Sequence, residues 1–320
     1  MNGYEGLRTG SAWIDLSARG TIRVTGDDRA RLLHAMSTNH VQGLGEGAGL
    51  YTFFLNEKGR ILADAYIYNF GESLLVDTEP ETARSLLAHL DRYVIADDVT
   101  LQDETGRWTV IGLEGPASEP TAVRLGIAVP RGRDGVLEWG DGFVTRVAST
   151  GPTGIRIFLL VEERHNFMAR LTAAGIPHAT AEEARIVRLE NGKPRYGEEI
   201  NDRYLVAETR QLQAVHFDKG CYLGQEIVER VRSRGQVHRH LTAVEFNGAV
   251  APAPGTKLVS GDTPVAEIAS AVYSPALGKS VGLAYARTEA LENNLPMTVE
   301  GSDPPIAARL AIAQNSSVAV

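Results

Sequence analysis

YTFFLNEKGRILADAYIY, Tyr51 to Tyr68, reads as two β-strand runs, YTFFL and RILADAYIY, joined by NEKG with its glycine near the end. That spacing is a hairpin connection. The two-residue period of a strand puts Leu62, Asp64, Tyr66 and Tyr68 on one face and Ile61, Ala63, Ala65 and Ile67 on the other. A carboxylate in a row of aromatic rings is the informative feature. Buried there, Asp64 resists ionisation unless hydrogen-bonded, and it can grip the N–H groups of a flat heterocycle held between stacking surfaces. The plainer alternative is an antiparallel strand with one wet face, where the aspartate meets solvent.

Working outward, TIRVT (21–25) is a β-branched strand, followed by GDDRARLLHAM, a helix that Asp27 or Asp28 can cap. After the hairpin come SLLVD and PETARSLLAHLDRYV, a strand and then a helix with Pro80 in its first turn. WTVIGL, GFVTRVA and GIRIFLLV are further strands, with a short helix and loops expected between Pro116 and Gly142. EERHNFMARLTAAG is a helix closing at Gly175. In TAEEARIVRLENG, Thr180 and Glu183 form a capping-box pattern before the Gly192 stop. From Leu241 the helical patterns give way to short strands broken by Gly, Pro and Asp, the signature of a small all-β module. The fold class is therefore α+β, with residues 1–239 forming α/β sandwich subdomains and 240–320 a C-terminal β-barrel.

The 320 residues are 43% apolar, enough for a substantial core, and carry a formal charge of −8. That balance argues against a surface that coats nucleic acid. No run of about eighteen apolar residues and no signal-peptide core occurs, so neither membrane spanning nor secretion is expected. One cysteine forms no internal disulfide, which fits a cytoplasmic, reducing setting.

That cysteine lies in DKGCYLGQE, Asp218 to Glu226. Lys219, two positions before Cys221, favours a thiolate, as does the N-terminus of a helix starting near Gly224. Gly220 and Gly224 permit close backbone approach. No partner cysteine or histidine stands at zinc spacing, so redox-disulfide and structural-zinc readings fail, and a small buried hydrophobe is the plain alternative. The following EIVERVRSRGQVHRH collects Arg230, Arg232, Arg234 and Arg239, whose forks suit carboxylates or phosphates. A solvated helix face with pairs such as Glu226 and Arg230 is equally compatible. Arg188 and Glu190 read as a solvated pair, or as a carboxylate turned into a cleft.

KGCYLGQE with ERVRSRGQVHR resembles the K-G-C-Y-x-G-Q-E signature of YgfZ-type proteins, a branch of the folate-binding superfamily that includes the glycine-cleavage T-protein, an aminomethyltransferase. Other stretches agree along nearly the whole chain. STGPTGIRIFLL resembles the R-T-G-Y-T-G segment, ARIVRLENGKPRYGEEI the L-R-L-E-x-G segment, and SPALGKSVGLAYA the terminal barrel. The resemblance implies a central cleft that binds tetrahydrofolate or a one-carbon derivative. It places cofactor contacts at Asp64, Tyr66, Glu190, Arg230, Arg234 and Arg239, and the signature at Lys219, Gly220, Cys221, Tyr222, Gly224, Gln225 and Glu226. It departs from the transferase where G-G-I-x-D-D becomes GRILAD, with Ala63 at one acidic position, and where Ser149 and Pro152 replace an arginine and a tyrosine.

Losing a carboxylate argues against full transfer activity. The resemblance therefore points to a non-enzymatic folate-binding accessory to iron–sulfur proteins or their assembly factors, and through them to tRNA modification. Asp64 and Cys221 act in it, Cys221 as a transient rather than a stable metal ligand. The alternative is a folate-dependent aminomethyltransferase or demethylase. Direct nucleic-acid binding, resting only on the arginines, is the least supported.

Overall fold

The computed structural model describes residues 1–235 and 237–311, with the side chains of Arg234 and Ala311 excepted. The end of the expected barrel segment, 312–320, lies outside the described residues. The strands are β1 (Ala12–Asp15), β2 (Gly20–Thr25), β3 (Gly49–Leu55), β4 (Ile61–Asn69), β5 (Leu74–Thr78), β6 (Thr100–Asp103), β7 (Trp108–Glu114), β8 (Val136–Trp139), β9 (Gly142–Thr145) and β10 (Gly154–Leu160). They form two antiparallel five-stranded sheets, ordered β3-β4-β5-β2-β6 and β1-β7-β10-β9-β8. Then β11 (Arg239–Phe246), β12 (Lys257–Ser260), β13 (Thr263–Ser274), β14 (Lys279–Arg287), β15 (Met297–Val299) and β16 (Ala307–Ala311) close a six-stranded barrel. The α+β class with a terminal β-barrel is what the sequence pattern required. Among the elements the pattern did not announce are the helix Gly3–Thr9 and the short strands β1, β6, β8, β15 and β16.

The hairpin forms as read, with Gly59 at φ 68° in the turn. One detail differs. The β3–β4 register shifts between Phe54 and Leu55, so Phe54 faces Ala63 while Leu55 faces Ile61. Leu62 is the extra residue of this bulge, and the strict alternation breaks there. Ile61 therefore joins Phe53, Leu55, Tyr196 and Ile200 on the side of Asp64, while Leu62 turns toward His89. Beyond the bulge the alternation is clean. Ala63, Ala65 and Ile67 pack with Leu33, Leu86 and Leu90 from the helices Arg29–Met36 and Ala83–Asp91. Pro80 lies three residues before the latter helix rather than in its first turn.

The two sheets are packed on each other. Tyr68 and Leu75 of the first sheet meet Trp108, Phe143 and Phe158 of the second in a shared core, with Phe143 and Phe158 stacked at 4.2 Å. The barrel is docked through a further core that joins Phe53 and Ile61 to Leu241, Val281, Leu283 and Tyr285. Tyr285 stacks on Tyr204 at 3.8 Å and donates its hydroxyl to the Glu199 carbonyl at 3.0 Å. Each fully buried large apolar side chain contributes roughly 1.5–3 kcal/mol, so these seams fix the sheets and barrel against one another.

Candidate functional site

A cavity of about 430 Å³ opens where the two sheets meet. Its floor is three adjacent strands of the first sheet: Tyr51 on β3, then Asp64 and Tyr66 on β4, with Glu79 just past β5. The second sheet adds Arg156 from β10 and the turn Ser149–Thr150. The helix Ala181–Glu190 and the loop after it add Arg185, Arg188, Lys193 and Arg195. Tyr51 and Tyr66 rings lie 5.0 Å apart, and the Arg156 guanidinium sits 5.1 Å from the Tyr66 ring centre. This is a slot with flat, polarisable walls and polar groups at fixed points, the form a small planar ligand requires.

The charges lining the cavity and buried behind its wall are unequally partnered. Asp77, opposite Tyr66 in the β4–β5 register, takes Arg19 Nε at 2.5 Å and Arg156 Nη1 at 2.5 Å. Glu79 takes Arg19 Nη1, and Arg195 Nε at 2.9 Å. Among the described residues Asp64 has no guanidinium partner. Its Oδ2 accepts one hydrogen bond, from the Tyr51 hydroxyl at 2.7 Å. Burial, and next the Glu79 charge, push the Asp64 carboxyl up to about 6, against the Tyr51 bond and more distant arginines. For Glu79 burial acts upward too, but Arg19 and Arg195 outweigh it and the carboxyl is lowered. Two carboxyls in one slot are thus driven apart, Asp64 upward and Glu79 downward.

Arg156 Nε is buried without a hydrogen-bond partner among the described residues, although the same guanidinium is otherwise engaged with Asp77 and Ser149. Burial lowers the Lys193 ammonium to about 8, and it donates to the Ala148 carbonyl. An arginine inside GIRIFLLV and acidic residues two apart in VDTE were the sequence signals for Arg156 and for Asp77 with Glu79. Arg19, Arg195 and Tyr51 carried none, because only tertiary packing brings them here.

Of the residues expected to contact a cofactor, the cavity brings together Asp64 and Tyr66. Glu190 is elsewhere. It faces a neighbouring recess, where its carboxylate accepts from Arg8 Nε at 2.8 Å, Ser274 Oγ at 2.6 Å and the Tyr4 hydroxyl. It therefore ties the first helix and the barrel to the helix Ala181–Glu190. Nor does it pair with Arg188, which is buried against Glu198 and Glu199. Arg230 is exposed and bonded to Glu226, as the solvated-face reading has it. Arg239 donates to Glu208 at 2.7 Å and covers the Tyr204 and Tyr285 rings. Arg234 ends its helix, and its side chain lies outside the described residues. Neither Arg230 nor Arg239 lines the cavity; its cations are others.

Ala63 also corrects an inference. It lies on the opposite face of β4, in the core with Ile67 and Leu33, so an acid lost at this position removes nothing from the cavity.

The cysteine loop is built around Lys219. The ammonium points away from solvent and donates to the carbonyls of Ser37 at 2.6 Å, Asn39 at 2.9 Å and His34. These acceptors lie in the last turn of the helix Arg29–Met36 and just past its end, so Lys219 is a C-terminal cap. Burial draws its pKa down to about 7, yet three acceptors match the three N–H bonds of an ammonium. The expected activation of Cys221 by Lys219 gives way to this structural role. Leu223 N donates to the Ala35 carbonyl at 3.0 Å, Tyr222 is buried, and Gln225 Oε1 accepts from Tyr222 N at 3.3 Å. The helix Gln225–Arg234 starts at Gly224, φ 80°. At Gly220 an added methyl finds only an ordinary contact at 3.8 Å, so close approach concerns Gly224 alone. Cys221 itself is exposed on this fixed loop and does not line the cavity. Among the described residues no group of three or more His, Cys, Asp or Glu side chains is placed to hold a metal ion, and no helix is long and apolar enough to cross a membrane.

With the geometry in place, comparison with known proteins decides the family. Residues 3–219 match the GCVT N-terminal domain, and residues 239–313 match the glycine cleavage T-protein C-terminal barrel domain. The chain belongs to the glycine cleavage T-protein family. It is 31% identical to an aminomethyltransferase of Rubrobacter xylanophilus over 89% of this chain and 78% of that one. It is 29% identical to the aminomethyltransferase of Thermus thermophilus, over 92% and 84%. The crystal structure of glycine cleavage system aminomethyltransferase T from Bartonella henselae superposes with a TM-score of 0.89 at 17% identity, covering 97% of this chain and 88% of that one, a likeness of fold. Aminomethyltransferases of this family bind tetrahydrofolate and its one-carbon derivatives.

Proposed function

We propose that this chain is a folate-dependent transferase of the aminomethyltransferase kind, with the cavity between the sheets as its tetrahydrofolate site. The observation that carries this is Asp64: a buried carboxyl without a cation partner among the described residues, facing a slot walled by Tyr51 and Tyr66. The cavity suits a pterin. Its volume accepts a bicyclic ring, its aromatic faces offer stacking, and the unpartnered Arg156 Nε is a donor for a ring acceptor. Bound tetrahydrofolate supplies the nitrogen atoms that carry a one-carbon unit. Tyr66 and Arg156 orient the ring, and Asp64 holds a proton within reach of a reacting nitrogen. The relatives named aminomethyltransferase favour this reading over an accessory role, and the placement of Ala63 removes the main argument against it.

The test is release of ammonia from an aminomethyl-loaded lipoyl carrier on adding tetrahydrofolate. Transfer is expected, with Asp64→Asn slowing it by about 100-fold or more. Tetrahydrofolate binding without any transfer would reject the transferase reading.

A second reading rests on Cys221, exposed within KGCYLGQE on a loop held by Lys219. In it the chain is a YgfZ-type accessory to iron–sulfur proteins in the cytoplasm, supporting tRNA modification through them. Since the thiol does not line the cavity, it would meet a partner's cluster or thiol at the surface. Loss of iron–sulfur enzyme activity in cells carrying Cys221→Ser is the result this reading requires.

A further inference from the structure

The β4–β5 ladder pairs Ala65 with Thr78 and Tyr66 with Asp77. Asp64 and Glu79 flank the Ala65–Thr78 pair, and both line the cavity. Like charges close together are destabilising, and of two such carboxyls the one that lacks a cation partner is the one that takes the proton. Glu79 is bridged twice, by Arg19 and Arg195. Arg19, Arg156 and Arg195 are therefore committed to Glu79 and Asp77, and the proton is left for Asp64.

We propose that Glu79 is a positioning residue of this site: fixed by Arg19 and Arg195 in the cavity wall it shares with Asp64, its carboxylate keeps the proton on Asp64, which meets a bound ring as a hydrogen-bond donor. This rests on the folate reading for the identity of the ring, but the placement of the proton stands on the partnering of the two carboxyls. Glu79 supplies the cavity's second acid from the neighbouring strand, whereas position 63 on the Asp64 strand faces the opposite core. The Tyr51 hydroxyl occupies Oδ2 of Asp64, so the proton belongs on Oδ1. If Asp64 passes that proton to a nitrogen of the ligand, the N–H bond forms as the O–H bond breaks. The carboxylate left behind keeps the Tyr51 hydrogen bond and regains a proton from water after release.

The groups facing Asp64 are Tyr51 on β3, Tyr66 on its own strand, Glu79, Arg19 ahead of β2, and Arg195 and Tyr196 in the loop after the helix Ala181–Glu190. Burial and Glu79 raise the carboxyl, and the two arginines lower it. Removing one acid or one base here should therefore move Asp64 in opposite directions.

The experiment is a carboxyl carbon-13 NMR titration of the ligand-free full chain, with the Asp64 resonance assigned by its loss in Asp64→Asn. A midpoint near 6 is expected for Asp64. Glu79→Gln should lower it by about one pH unit or more, and Arg195→Gln should raise it. An Asp64 midpoint in the ordinary aspartate range, or one that neither variant moves, would overturn the proposal. Dispersed amide spectra of each variant confirm that it is folded. In parallel, tetrahydrofolate Kd is measured against pH: affinity should fall about tenfold or more above the Asp64 midpoint, with the break shifting together with that midpoint in Glu79→Gln. A break that stays put while the carboxyl moves also overturns it. Absence of tetrahydrofolate binding at every pH would instead reject the folate reading and leave the proton on Asp64.

Discussion

Gly224 of the cysteine loop lies against the Asn56 carbonyl of the β3–β4 turn, so close that a Cβ at position 224 would sit 2.6 Å from that oxygen. The approach is mutual. A Cβ on Gly59, in the same turn, would meet the Ile227 side chain at 2.7 Å. The hairpin that floors the cavity and the helix that follows Cys221 are thus packed through two glycines at positive φ.

Gly224→Ala should therefore lower unfolding free energy by about 1–3 kcal/mol, from left-handed strain together with the backbone clash. Urea denaturation at neutral pH measures it. A change below about 0.5 kcal/mol would mean that the loop and the turn are not in contact.

Lys219→Met keeps the length of the side chain but leaves three carbonyls at the end of the helix Arg29–Met36 and just past it without this donor. A loss of about 2–4 kcal/mol is expected, since buried acceptors left unpaired cost about 1–3 kcal/mol each and are not additive. Hydrogen exchange should show earlier opening at the end of that helix. Unchanged exchange there would count against the cap.

Glu190→Ala separates two roles. Its carboxylate accepts from Arg8, Tyr4 and Ser274 and faces a recess other than the main cavity. Stability should fall by about 1–3 kcal/mol with tetrahydrofolate affinity held within about twofold. A tenfold loss of affinity in a folded variant would return Glu190 to the ligand site.

Asp64 makes stability depend on pH in a definite direction. Its folded value of about 6 lies above the ordinary 3.8, so the native state retains a proton that the unfolded chain has released. Its contribution is full below about pH 4 and is lost as pH rises through about 6. Asp64→Asn, which cannot ionise, should therefore be more stable than the parent at pH 8, by at most on the order of 3 kcal/mol, and equally stable near pH 4. Thermal unfolding at both values checks it, and equal midpoints at pH 8 would contradict the assignment.

Much of the architecture was legible because local signals agreed with tertiary ones. The β-branched alternation of TIRVT, the hairpin around Gly59, the Thr180–Glu183 capping box and the switch to short strands after Leu241 each produced the element expected. The site was legible only where chemistry broke a pattern. Asp64 stood out in an aromatic row, whereas Arg19 and Arg195 look like ordinary surface residues until two sheets and a loop enclose them. Lys219 misled because sequence proximity to Cys221 says nothing of direction, and its ammonium is drawn to a helix end far away in the chain. Glu190 misled for a related reason: a carboxylate before a glycine stop can face either of two recesses, and Arg8 and Ser274 decide which. The Arg230–Arg239 run looked like an anion site because composition does not reveal that Glu226 and Glu208 already partner two of its members.

The central claim is that the slot between the sheets receives a reduced pterin on Tyr66 and Asp64. A crystal structure of the full chain soaked with tetrahydrofolate tests it most directly. The account predicts the bicyclic ring inside the cavity, packed on Tyr66, with a ring heteroatom within hydrogen-bonding distance of the Asp64 carboxyl. A ring bound outside this cavity, or inside it with Asp64 still bonded to Tyr51 alone, would contradict the account.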